Sequence, residues 1–144
     1  MTDFNRIFLD SAPFIYLLEK GTPFTDKMEK IMQNLLYRNI AIMTSSVTVA
    51  EYCVHPYREH NIEKLDKFFA FLRDIGIETI NIDDEIAKLS AEIRATYSFK
   101  GMDALQLASA QYHHCDVFLT NDKQLKRFAE VNCVMIEEYP FDVT

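Results

Sequence analysis

Four acidic residues occupy positions from which they could do chemistry together. Asp10 closes the apolar run Ile7-Phe8-Leu9, and Asp122 ends the stretch "DVFLTND", which opens with Asp116 and Val117-Phe118-Leu119. Glu51 lies one turn into the helical pattern after "IAIMTSS", and Asp103 starts the helical pattern that feeds "DVFLTND". Carboxylates brought together repel one another unless a proton or a cation sits among them. Ligand sets made only of oxygen favour hard ions such as Mg²⁺ or Mn²⁺. The chemistry implied is that of a divalent cation held by acids from distant parts of the chain.

The elements that must position these acids follow from the hydrophobic pattern. Short apolar runs at 7–9, 40–43, 117–119 and 133–136, with "IETINI" at 77–82, predict strands. Most are continuous rather than alternating, the pattern of strands covered on both faces. Between them, helical patterns are expected at about 11–19, 24–37, 47–57, 61–75, 83–97, 102–114 and 122–130. Within 61–75, Ile62, Leu65, Phe68, Phe69, Leu72 and Ile75 follow a period near 3.6. Strands alternating with helices imply a mainly parallel sheet of four to five strands in a three-layer α/β/α sandwich. Ligands in such sheets bind beyond the carboxyl ends of the strands. Asp10, Thr44-Ser45-Ser46 and Thr120-Asn121-Asp122 follow strands directly, which brings all four acids toward one rim.

Each acid also has a plain structural role open to it. Asp and Ser cap helices, and negative charge near a helix start is favoured by the dipole. Thr48 and Glu51 have capping-box spacing, Asp103 and Gln106 a looser version of it. Ser11 is placed to cap the first helix, and Asp122 or Asn121 the last. On this reading the chain is an α/β interaction module without catalysis. The set argues against it, because Asp103 accompanies Gln106 on a helix otherwise lined by Ala104, Leu105, Leu107, Ala108 and Ala110. Such a helix packs closely on a sheet and points its start at the same rim. His113-His114 close that helix, where imidazolium suits the dipole, and no second His-rich element completes a zinc shell.

Composition narrows the classes. The 144 residues are 49% apolar and 26% charged, with 3 Gly and 4 Pro, no repeat and no linker, which predicts one domain spanning 1–144. A net charge of −7 argues against a coat protein for nucleic acid, whose affinity comes from neutralising phosphates. It leaves open an enzyme meeting nucleic acid at a metal-filled cleft. No apolar window is long enough for a membrane helix, and the N-terminal stretch, interrupted by Asp3 and Asp10, predicts no signal peptide. Cys53, Cys115 and Cys133 lie among apolar neighbours, as expected of reduced thiols in a cytoplasm. There is no glycine-rich phosphate loop and no serine elbow. A dehalogenase-like phosphatase would need a second Asp where Ala12 stands, and a receiver domain an acidic pair that "FNRIFLDSA" lacks.

With these residues in view, the chain resembles the PIN domain family, the nuclease fold of VapC-type toxins, over nearly its whole length. "IFLDSAPFIYLLE" matches the first motif, "TSSVTVAEY" the second and "MDALQLASAQYHHCDVFLTND" the third, which is the most specific. The Ala12-Pro13 pair departs from the usual aliphatic residues there. The resemblance implies that Asp10, Glu51, Asp103 and Asp122 are catalytic and metal-binding, with Ser11, Thr120 and Asn121 in support. It implies an Mg²⁺- or Mn²⁺-dependent endoribonuclease hydrolysing RNA with metal-activated water, and no protein nucleophile. Lys100, Lys123, Lys126 and Arg127 lie near the expected rim and are candidates to hold RNA phosphates. The family further implies a small antitoxin bound at the acidic cleft and a homodimer. A role in RNA processing rather than as a toxin is the alternative within the family.

Overall fold

The computed structural model describes residues 3–141. Its strands are β1 (Arg6–Leu9), β2 (Ala41–Ser45), β3 (Glu78–Ile80), β4 (Val117–Thr120) and β5 (Asn132–Met135), all parallel, in the order β3-β2-β1-β4-β5. Helices α1 (Ser11–Leu18) and α2 (Thr25–Tyr37) join β1 to β2. Helices α3 (Ser46–Tyr52), α4 (Val54–Arg58) and α5 (Ile62–Ile75) lead to β3, and α6 (Asp84–Tyr97) and α7 (Gly101–Tyr112) return the chain to β4. The chain thus fills one side of β1, then crosses to the other, and β1 lies at the switch where such sheets place ligands.

The expected three-layer α/β/α sandwich is the architecture found. Successive residues of β1 enter opposite layers: Ile7 and Leu9 pack with Phe14, Ile31, Leu35 and Phe68, whereas Phe8 packs with Met43, Ile86 and Leu107. That is why the strand is apolar at every position: each face is covered by helices. Phe8 and Phe118, paired across β1 and β4, stack at 5.2 Å. Helix α7 carries Ala104, Ala108 and Ala110 into this layer, all fully buried. Their small size allows the helix to pack closely and brings its first turn to the rim. The helix α5 ends at Gly76, whose φ of 82° supplies the left-handed turn that closes it.

The structure corrects two helices. In place of a helix over 122–130, the chain makes a short 3₁₀ turn, Lys123–Arg127, and then extends. In a 3₁₀ turn residues three apart lie on one face, and this places Leu125 and Phe128 together in the second core layer. The stretch 47–57 is two helices broken at Cys53. Pro56 has no amide hydrogen to donate four residues back, so the continuous ladder cannot form there.

The close approach of α7 is testable. Ala108→Leu adds volume where none is free and should destabilise the protein by about 1–3 kcal/mol, read by urea denaturation. An unchanged midpoint would mean that α7 has room to spare.

Candidate functional site

β1, β2 and β4 end side by side, and Asp10 stands where their ends meet. Its amide donates to the Leu119 carbonyl at 3.0 Å, the last rung between β1 and β4. Its carboxylate is then pinned from two sides. Oδ1 accepts the Ser11 amide at 2.9 Å, capping α1, and Oδ2 accepts the Thr120 hydroxyl at 2.8 Å. Asp10, not Ser11, is therefore the cap of α1. Burial raises its pKa from 3.8 to about 6; the Ser11 and Thr120 bonds oppose this, and Asp103 and Glu51 push it further up.

The other acids approach Asp10 without touching it. Asp103, in the first turn of α7, is half-buried, and its pKa is raised first by burial, then by Asp122 and Glu51, with Lys100 opposing. It caps nothing: α7 opens at Lys100 without a side-chain cap. Glu51 is exposed and receives the Ser11 hydroxyl at 2.6 Å. It forms no capping box with Thr48, since Ser45 caps α3 by accepting the Val47 amide at 3.1 Å. Asp122 is exposed and caps the 3₁₀ turn through Gln124 N at 3.0 Å. Asn121 donates to the Tyr16 hydroxyl at 2.9 Å. Of the cap roles open to the acids, Asp10 and Asp122 fill theirs, whereas Glu51 and Asp103 do not.

Beneath the rim lies a buried polar network that the motifs do not announce. Thr44, Ser45, Thr48 and Gln106 are each at most 1% exposed. The Thr44 hydroxyl donates to the Leu9 carbonyl at 2.8 Å and lies 2.7 Å from Thr48 Oγ1. Ser45 donates to Gln106 Oε1 at 2.5 Å, which fixes which end of the amide faces the rim. Gln106 Nε2 then donates to Thr48 Oγ1 at 2.8 Å and stands 3.4 Å from Asp10 Oδ1 and 3.5 Å from Ser11 Oγ. The signal was present: Gln106 interrupts an Ala/Leu stripe one turn after Asp103. The Tyr16 contact had no signal in the sequence.

Near the rim, the four expected cations divide. Lys100 adjoins Asp103, and Lys123 is exposed directly after Asp122. Lys126 is paired with Glu138 at 2.6 Å, and Arg127 donates to the Tyr97 carbonyl at 3.2 Å and lies 4.7 Å over the Phe99 ring.

The donor set suits a hard divalent ion. Among the described residues no ion pair involves Asp10, Glu51, Asp103 or Asp122. The half-buried Asp10 carboxylate, acted on by Asp103 and Glu51 and bonded only to neutral amide and hydroxyl groups, lacks positive charge. Yet among the described residues no three acidic, His or Cys side chains converge into a ready-made shell. Like charges oppose closer approach, so the carboxylates stand as a coupled group rather than a closed cage.

The sequence matches the PIN domain family over residues 7–131. The chain belongs to the PIN domain family. Solved structures share the fold of this PIN domain. VapBC2 of Rickettsia felis bound to a promoter DNA fragment aligns with a TM-score of 0.70 at 23% identity, over 90% of this chain and 98% of that one. DNA-bound VapBC of Salmonella typhimurium gives 0.73 at 16%, over 92% and 98%. VapC20 of Mycobacterium tuberculosis, a toxin that cleaves the sarcin-ricin loop, gives 0.67 at 14%, over 87% and 98%. No curated protein sequence matches the chain.

Two substitutions test the geometry without any substrate. The folded pKa of Asp10 lies above its unfolded value. The native state therefore binds the extra proton between about pH 4 and 6, and stability falls as pH rises through that window. In chelator, Asp10→Asn should gain about 1–3 kcal/mol over the parent at pH 7.5, with the gain vanishing toward pH 4. A loss of equal size at both pH values would contradict an uncompensated charge. Gln106→Leu strands Ser45 and Thr48 and should cost about 1–3 kcal/mol at every pH, by the same denaturation measurement.

Proposed function

We propose that this PIN domain is an Mg²⁺- or Mn²⁺-dependent endoribonuclease, the toxin of a type II toxin–antitoxin pair. One observation carries the reading: Asp10 holds a carboxylate of raised pKa at the mouth of the sheet, coupled to other acids and met by no cation. Asp10 and Asp103 are the primary ligands in this reading, with Asp122 and Glu51 completing the set. When bound, the ion supplies Lewis-acid neutralisation of phosphodiester charge and lowers the pKa of water. The chain's part is positional. Thr120 and the Ser11 amide hold Asp10, the Ser11 hydroxyl holds Glu51, and Gln106 presents its donor face to both Asp10 and Ser11. Asn121, tied to Tyr16, fixes the path of the chain into Asp122.

RNA as substrate is supported by the likeness to VapC20, described as cleaving the sarcin-ricin loop. An antitoxin partner is supported by the VapBC complexes among the structural neighbours. An apolar cavity of about 260 Å³, lined by Ile15, Tyr52, His55 and Pro56 together with Glu19 and Glu51, meets the acids at Glu51. It suits a short amphipathic segment with one basic side chain. A homodimer is part of the same proposal, as is a single domain over 1–144. The buried free thiols Cys53, Cys115 and Cys133 suit the reducing cytoplasm, burial pushing Cys115 and Cys133 up to about 12. No helix among the described residues is long and apolar enough to cross a membrane.

The competing reading, a non-catalytic interaction module, is favoured by the caps that Asp10 and Asp122 do form. It gives Asp103 only a first-turn place on the α7 dipole and no cap. Asp10→Asn and Asp103→Asn should each lower cleavage of total RNA by about 10²-fold or more in Mg²⁺ or Mn²⁺, and chelator should abolish it. Cleavage by both variants at the parent rate would leave the interaction module standing.

A further inference from the structure

A shallow cleft on the outer face of α6 is lined by Ala91, Arg94, Ala95, Ser98 and Phe99, with a volume of about 520 Å³. In a chain of net charge −7, no acid lines it. Arg94 is exposed and, among the described residues, enters no ion pair. The residues three and four positions from it are Ser90, Ala91 and Tyr97 on α6 and Ser98 at its C-terminal cap, so no acid stands beside it on the helix. Its guanidinium reaches over the start of α7, where a β-carbon on residue 101 would lie 3.8 Å from Nη1. Lys100 precedes that residue and Asp103 follows it by two, with Lys100 acting on the Asp103 carboxylate. Phe99, which lines the cleft, carries the Arg127 guanidinium 4.7 Å over its ring.

We infer that this cleft is the track for single-stranded RNA leaving the acidic site, with Arg94 and Lys100 holding successive phosphates beside the scissile one. The inference rests on the nuclease reading and assigns a path to its substrate. Phosphate contacts position a strand without reading sequence, and Arg offers a planar fork suited to phosphate. Ala91 and Ala95 keep the cleft wide, and the buried Phe99 ring holds Arg127 in place. Lys126, although close in sequence, is neutralised by Glu138 and takes no part.

The test is binding of a fluorescent single-stranded RNA to the full chain in chelator, across a potassium chloride series. Arg94→Gln and Lys100→Gln should each weaken binding about three- to tenfold and lower the salt slope by about 0.7. Lys126→Gln should leave both unchanged. All three positions are exposed, and a thermal melt confirms that each variant folds. If Arg94→Gln behaves like Lys126→Gln, or if the parent chain binds no RNA, the track is wrong. Cleavage of RNA by the parent separates the two failures. Cleavage with an unchanged salt slope removes the track alone. Loss of slope at Arg94 without cleavage removes the nuclease reading and leaves an RNA-binding surface.

Discussion

The site depends on one unfavourable arrangement, a carboxylate held at the closed end of a parallel sheet with no cation beside it. Asp10 cannot swing away. Its amide completes the ladder with β4, and its two oxygens are bonded to the cap of α1 and to Thr120. The Ser11 and Thr120 bonds stabilise the ionised form, yet burial outweighs them and the pKa still rises. The fold therefore supplies enough polar contact to keep the group in place and too little to satisfy its charge. A site organised to receive a cation has this character, because the missing favourable interaction is the one the cation brings.

The surrounding polar network is what holds this desolvated group in place. Thr44, Ser45, Thr48 and Gln106 are buried, and every hydroxyl or amide among them has a partner. Buried polar groups left unpaired are costly, so the network acts as a rigid seat only while complete. It ties β2 and α3, which follow one another in sequence, to the distant α7, and Gln106 of α7 reaches Asp10. The coupled acids inherit their relative placement from this seat: Glu51 through Ser11, and Asp103 through the helix that also carries Gln106.

Much of this was legible in the residues. Continuous apolar strands announced a sheet covered on both faces, and acids directly after those strands announced the rim. Asp103 was legible because a stripe of alanines can only belong to a helix packed tightly against something. What failed to show was decided by long-range packing. The 3₁₀ turn after Asp122 depends on Leu125 and Phe128 sharing one core layer, and the break at Cys53 depends on an amide that Pro56 lacks. Gln106 looked like a companion to Asp103 and is instead the hub of the buried network. Spacing within one helix cannot reveal hydrogen bonds to residues 58 and 95 positions away.

The capping account and the metal account then cease to be rivals. Asp10 caps α1, and the same oxygen that does so lies nearest to Gln106. A helix N-terminus is a source of positive potential. Here it stabilises the ionised carboxylate. The cap holds the group in position, and burial keeps its charge unsatisfied. Glu51 and Asp103 cap no helix, and the first-turn position of Asp103 favours negative charge without requiring it. What they share with Asp10 is proximity: both raise its pKa, and the proposed function rests on that shared charge.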